Sequence, residues 1–134
     1  MEILADTHIL IWYLTGDERL SAKARRLLDD RSNTIYYSIV SLWEIAIKHS
    51  IKPDKLTISA LEFADCCRIQ GFNEYALKKQ HIFALDSLYR SDNAPLHKDP
   101  FDRLLICQAK ADNLMFITHD DLLPYYNESC IIIV

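Results

Sequence analysis

The most constraining feature of the chain is an unbroken run of turn, helix, apolar strand and turn from His97 to Asp121. It opens as His97-Lys98-Asp99-Pro100-Phe101-Asp102-Arg103 and closes as Phe116-Ile117-Thr118-His119-Asp120-Asp121. Pro100 suits a first helical position, where its missing N–H would be unpaired anyway. Asp99 then stands as the helix N-cap. Leu104, Leu105, Cys107, Ala109 and Ala111 are spaced to bury that helix, and Asn113 is able to end it. Leu114 to Ile117 is a short apolar run that reads as a fully buried strand. Asp99 and Asp102 are three apart and share a helix face. Asp120 follows the strand's C-terminal end, where open α/β sheets carry their sites.

The rest of the chain repeats this alternation. Ile3-Leu4-Ala5 reads as a strand, and Asp6-Thr7 leads into a helix through Ile9 to Leu14 that Gly16 stops. Ser21 caps a helix from Ala22 to Asp30. Ile35-Tyr36-Tyr37 reads as a strand, with Tyr36 and Tyr37 on opposite faces, one in and one out. Ser38 to Ser41 leads into a helix from Leu42 to Ser50, closed by Pro53. Ser59 opens another, through Phe63 and Cys67 to Gly71. Phe72 to Leu77 reads as a strand, Lys79 to Leu88 as a helix, Ser91 to Pro95 as a loop and Cys130 to Val134 as a last strand. Short apolar strands alternating with helices imply an α/β fold with a parallel sheet of four or five strands, covered on both faces. The length of 134 residues fits one domain, residues 1–134.

Composition narrows the class. Half of the residues are apolar, enough for a true core, and only two Gly and four Pro argue against disorder. No apolar run nears the ~20 residues that span a bilayer. The start, Met1-Glu2-Ile3-Leu4-Ala5-Asp6, lacks a basic stretch and is unlike a signal peptide, so a cytoplasmic protein is expected. Cys66, Cys67, Cys107 and Cys130 show no C-x-x-C spacing and read as reduced thiols. A net charge of −4 argues against a broad nucleic-acid-binding surface, though not against a small acidic site working through a bound cation.

The acids are the candidate chemistry, and each has an ordinary structural role open to it. Asp6 could cap the first helix. Ser41-Leu42-Trp43-Glu44 matches the capping box, in which Glu44 would bond back to the cap's own N–H. Asp99 is an N-cap, and Asp102 sits where a helix dipole favours acids. Asp120 and Asp121 could be turn residues. Topology shifts the balance. Asp6 and Asp120 follow strand ends, and Glu44 and Asp102 lie early in helices beside such ends, so all face one edge of a parallel sheet. At ~4 Å and an effective dielectric of ~20, each pair of carboxylates would repel by about 4 kcal/mol. A hard divalent cation such as Mg²⁺ or Mn²⁺ would relieve that repulsion. Such a site suits phosphodiester hydrolysis by a metal-activated water.

In four stretches taken in order, the chain resembles the PIN-domain family, and more narrowly the VapC-type toxins of bacterial type II toxin–antitoxin pairs. They are Leu4-Ala5-Asp6-Thr7-His8 with Trp12 behind it, Ser41 to Ala46, His97 to Ile106, and Ile117-Thr118-His119-Asp120. The resemblance implies a PIN-like α/β/α sandwich. It also implies a Mg²⁺- or Mn²⁺-dependent ribonuclease, inhibited by a cognate antitoxin that covers or enters the site. By position, Asp6, Glu44, Asp102 and Asp120 match the family's catalytic, metal-binding acids, with Asp99 an additional acid of the subgroup. Thr118 resembles the hydroxyl residue that orients the last acid and meets substrate. A homodimer is implied too, for which the helices around Trp12 and Phe63 offer apolar surface.

Other side chains flank these. Arg103 is expected either to pair with a site acid or to grip phosphate. Lys48, one turn beyond Glu44, reads as an i,i+4 ion pair. His97 and His119 read as solvated loop histidines, able to bind phosphate when protonated. Trp12, Tyr13 and Trp43 read as core or interface. Two competing functions are a non-catalytic PIN-like binding module and a phosphatase or receiver-like domain. The receiver-like case would want an acid pair near the first strand and a Lys after the last site strand. The chain has only Glu2 near Asp6, and His119 after Thr118.

Overall fold

The structure is a computed structural model and describes residues 1–56 and 58–134. Five strands form one parallel sheet: β1 (Glu2–Ala5), β2 (Thr34–Ser38), β3 (Asn73–Tyr75), β4 (Met115–Thr118) and β5 (Ile131–Ile133), in the order β3-β2-β1-β4-β5. Leu4 lies opposite Tyr36 on one side and Phe116 on the other. The helices are α1 (Thr7–Thr15), α2 (Ala22–Asp29), α3 (Ile39–Ile51), α4 (Ala60–Ile69), α5 (Lys79–Phe83) and α6 (Pro100–Asp112). Short 3-10 turns occupy Ala84–Ser87 and Leu123–Tyr126. No helix of the described residues is long and apolar enough to cross a membrane.

Strand side chains alternate between two faces, and both faces are packed. Ile3, Ala5, Ile35, Tyr37 and Ile117 meet Ile9, Leu10, Ala24, Leu28, Phe63 and Cys67 from α1, α2 and α4. Leu4 and Phe116 meet Leu104, Leu105, Ile106 and Ala109 of α6, with Leu123 and Tyr126. Each fully buried Leu, Ile or Phe contributes about 1.5–3 kcal/mol. Tyr36 and Tyr37 do take opposite faces, but neither faces out: Tyr37 is buried in the first layer, while Tyr36 packs against the α6 layer and its hydroxyl donates to Glu2 at 2.9 Å. Phe63 is fully buried in the core, which removes it from any dimer surface.

Local chemistry places the ends. Ser21 accepts from the Ala24 N–H, and Ser59 with Glu62 forms a capping box on α4. Asp99 caps α6, whose far end is Asn113 in the left-handed conformation, φ 56. The capping box expected at Ser41–Glu44 does not form. Chain leaving β2 turns directly into α3, and the hydroxyl of Ser38 accepts from the Val40 N–H. The helix thus begins at Ile39, and Ser41 and Glu44 lie inside it. Strand β3 is shorter than the expected Phe72–Leu77, and Phe72 is buried instead against Tyr13. The expected helix from Lys79 to Leu88 divides into α5 and a 3-10 turn, and the last strand contracts to Ile131–Ile133.

From β1 the chain first builds outward through β2 to β3, then crosses to β4 and β5 on the other side. The direction reverses at β1, so the crevice where ligands bind in such sheets lies beyond the C-terminal ends of β1 and β4.

One buried polar network ties the far layer together. His81 is fully buried, and its Nδ1 accepts from the Lys78 N–H at 2.9 Å. Its Nε2–H donates to Asp112 Oδ2 at 2.7 Å, and the Tyr75 hydroxyl donates to the same oxygen at 2.5 Å. Replacing His81 by Ala removes both bonds of a fully buried ring and leaves a cavity, and is expected to cost about 1–3 kcal/mol in urea unfolding. An unchanged unfolding midpoint would show that the network does not hold α5 to α6.

Candidate active site

The sheet's C-terminal edge gathers the acids. Asp6 directly follows β1, and Asp120 lies just past β4. Asp102 stands in the first turn of α6, behind its cap Asp99. These line a cleft of about 280 Å³ together with His8, Trp12 and His119. Glu44 opens instead on a neighbouring groove of about 400 Å³, which it shares with Thr7, His8, Lys48, Lys52 and Lys55. Its charge still acts on both Asp6 and Asp102.

Hydroxyl groups hold the acids in place. Asp6 occupies the N-cap position of α1, yet its side chain makes no capping bond. Instead Asp6 Oδ2 accepts from the Thr118 hydroxyl at 2.6 Å, while Asp6 Oδ1 is buried with no partner. Thr118 Oγ1 in turn accepts from the Asp120 N–H at 3.1 Å, so one hydroxyl ties the acids after β1 and β4 together. The Thr7 hydroxyl donates to Glu44 Oε1 at 2.8 Å and also bonds Ser41 Oγ. Lys48 Nζ reaches Glu44 Oε2 at 2.5 Å, the expected i,i+4 pair, here with the carboxylate almost fully buried. Asp99 Oδ1 accepts from the Phe101 and Asp102 N–H groups. Asp120 Oδ1 accepts from the Leu122 N–H at 2.9 Å.

Burial and mutual repulsion raise two of the acids. Asp6 is pushed up to about 6, mainly by burial, against the opposing bond from Thr118 and with a further push from Glu44. Asp102 is pushed up to about 9 by burial first, then by the charges of Asp6, Asp99, Glu44 and Asp120. Without a cation, the cluster relieves its repulsion by holding a proton.

Two expectations change. Thr118, expected to orient the last acid and meet substrate, does hold the Asp120 N–H, but it is fully buried and its hydroxyl proton goes to Asp6. It positions Asp6 and does not reach the cleft. His97, expected to be solvated, has a side chain only 4% exposed. Its Nδ1 lies 2.7 Å from the Tyr126 hydroxyl, and its Nε2 lies 3.3 Å from Asp102 Oδ2. One ligand atom each from His97, Asp102 and Asp120 lies within 4.8 Å of the others. Asp102's partner is thus His97 rather than the adjacent Arg103, which is half-buried and acts electrostatically on His97 and Tyr126. His119 stays exposed, its Nδ1 near Val134 O and its ring edge-on to Trp12, which Arg19 covers at 5.1 Å. The sequence signal for His97 was its place two residues before Asp99. Its burial depends on Tyr126, too far along the chain to be read locally.

Known proteins share this fold. A complex of VapBC2 from Rickettsia felis, bound to a DNA fragment from its promoter, contains a chain 16% identical, covering 100% of this chain and 98% of its own, with a TM-score of 0.67. A toxin–antitoxin complex from Klebsiella pneumoniae contains a chain 17% identical, covering 97% of this chain and 95% of its own, with a TM-score of 0.59. At these identities the likeness is one of fold. A comparison with curated proteins finds no match. The family model for the PIN domain matches residues 3–127, which take in every acid of the cleft, and the chain belongs to the PIN-domain family.

Proposed function

We propose that the chain is a metal-dependent RNA endonuclease and the toxin of a type II toxin–antitoxin pair, acting in the cytoplasm. The observation that carries the reading is the buried acid cluster with Asp6 Oδ1 left unpartnered. An orphaned, buried carboxylate oxygen is costly unless a cation completes it.

The donor set fits a hard divalent cation such as Mg²⁺ or Mn²⁺. Asp6, Asp102 and Asp120 would hold it, with Asp99 and Glu44 at the margin of the same field. Bound there, such an ion supplies a polarised phosphate and a water acidic enough to attack it near neutral pH. The chain's own residues do the rest. Thr118 keeps Asp6 aimed into the cleft, and its bond from the Asp120 N–H keeps Asp120 beside it. Thr7 and Lys48 hold Glu44 turned toward the lysine-rimmed groove. Lys52 and Lys55 offer cations to a phosphate backbone entering beside the acids, in a chain whose net charge is −4. Arg103 adds a guanidinium on the His97 side.

The antitoxin reading is supported by the two neighbours, both of which are toxin–antitoxin complexes. An antitoxin Arg or Lys would satisfy the same carboxylates that a metal does. For a homodimer, Leu61 and Ile69 of α4, 73% and 72% exposed, are the apolar surface available in place of Phe63.

The purified chain is expected to cut RNA with Mg²⁺ or Mn²⁺ and to stop with EDTA. Asp6→Asn should lower the rate by roughly a hundredfold or more, as befits loss of a direct ligand. Cleavage that survives both chelation and this substitution rejects the reading.

The stored repulsion gives a second expectation. An unfolded Asp titrates near about 3.9, whereas folded Asp102 is raised to about 9. Between these values the folded, metal-free chain binds more protons than the unfolded one. The Asp102 contribution to stability is therefore fully present at low pH and is lost as pH rises toward 9. Asp102→Asn removes this slope, and at pH 7 in EDTA it should raise the Tm by roughly 3–5 °C, the effect of about 1 kcal/mol in a domain of this size. Added Mg²⁺ should stabilise the native chain more than the variant. A lower Tm for Asp102→Asn in EDTA would instead make Asp102 a structural residue.

A further inference from the structure

One imidazole packs against the acids of this site, and its surroundings are those of a ligand. We propose that His97 coordinates the metal through Nε2, making the centre a mixed nitrogen–oxygen site that prefers a first-row transition ion, manganese(II), to magnesium. The inference rests on the metal-dependent reading above and deepens it.

Three observations carry it. The first is geometry: His97, Asp102 and Asp120 each present a ligand atom within 4.8 Å of the other two. Ligand atoms at opposite corners of an octahedron with bonds of about 2.1 Å lie about 4.2 Å apart, so the trio is already close to a coordinating spread. The second is how the ring is held. Its side chain is 4% exposed although it comes from a loop, and it packs edge-on against Tyr126 with centroids 5.4 Å apart. Nδ1 faces the Tyr126 oxygen at 2.7 Å. When Nδ1–H donates to that oxygen, the lone pair lies on Nε2, the nitrogen turned toward Asp102. A ligating imidazole is held in this way by a partner on its other nitrogen. The third is independent of the histidine: Asp6, whose Oδ1 is buried and unpartnered, lines one cleft with Asp102 and Asp120, the two acids of the trio.

The chemistry then separates the ions. Magnesium keeps oxygen ligands and water, whereas first-row transition ions accept imidazole nitrogen, and manganese(II) is the one most at ease with carboxylates as well. The other role open to His97, a hydrogen-bond partner that only orients Asp102, places no nitrogen on the metal.

The test is pulsed electron paramagnetic resonance of the full chain loaded with manganese(II). Electron spin-echo modulation from a directly bound ¹⁴N is expected in the native chain and absent in His97→Leu. Calorimetry should show manganese binding weakened at least about tenfold in His97→Leu, and about tenfold in Tyr126→Phe, with magnesium binding nearly unchanged. Bound manganese without nitrogen modulation overturns the inference and leaves the metal-nuclease reading intact. Equal weakening of both ions in His97→Leu also overturns it. No manganese binding at all defeats the metal site itself, and with it both readings. If His97→Leu fails to fold, the spectrum of the native chain still decides.

Discussion

The hydrogen bond from Thr118 to Asp6 is the contact on which the site turns. It joins residues 112 positions apart, at the two strand ends where the sheet changes direction. A carboxylate buried to this degree needs a donor, and the hydroxyl satisfies one oxygen and leaves the other open. The same hydroxyl accepts from the Asp120 backbone, so a single side chain sets the separation of two acids. The register of β1 against β4, Leu4 opposite Phe116 and Ala5 opposite Ile117, is what brings these groups level. A one-residue slip would turn the apolar set of β4 to the wrong layer and carry Thr118 away from Asp6.

Around that bond the chain manages a surplus of negative charge in three ways. Thr7 and Lys48 compensate Glu44, giving each of its two buried oxygens a donor. Asp99 is spent on the N–H groups of α6. Asp102 receives neither treatment: its neighbours are acids and one imidazole, and it retains a proton to values where a free aspartate would long be charged. Compensation is thus uneven, and the two acids it leaves raised, Asp6 and Asp102, share one cleft.

Much of this was legible in the sequence, and the physical reason is locality. Strand alternation, Asp99-Pro100 at a helix start and Asn113 at its end are signals within a few residues, and the α/β class with a parallel sheet follows from them. Asp6, Asp102 and Asp120 were legible because acids at strand ends and helix starts need only the topology to converge. Glu44 was read with them, although the S-x-x-E spacing offered it a capping role that lost to Ser38 because β2 runs into α3 without a loop. His97 and the true partner of Thr118 were not legible, since each depends on a contact made only when distant segments pack. The weak elements, β3 and the division of α5 from its 3-10 turn, carry too little apolar pattern to be bounded by sequence.

The sheet's two rims have a consequence for recognition. Strands β3 and β5 form the outer edges and are three residues long each. So short a rim presents few free backbone groups, and a foreign strand laid along it would gain few main-chain bonds. Recognition of this molecule by another chain must therefore be written in side chains and helix faces. That makes specificity a matter of individual substitutions, which lets closely related pairs drift apart without their folds changing.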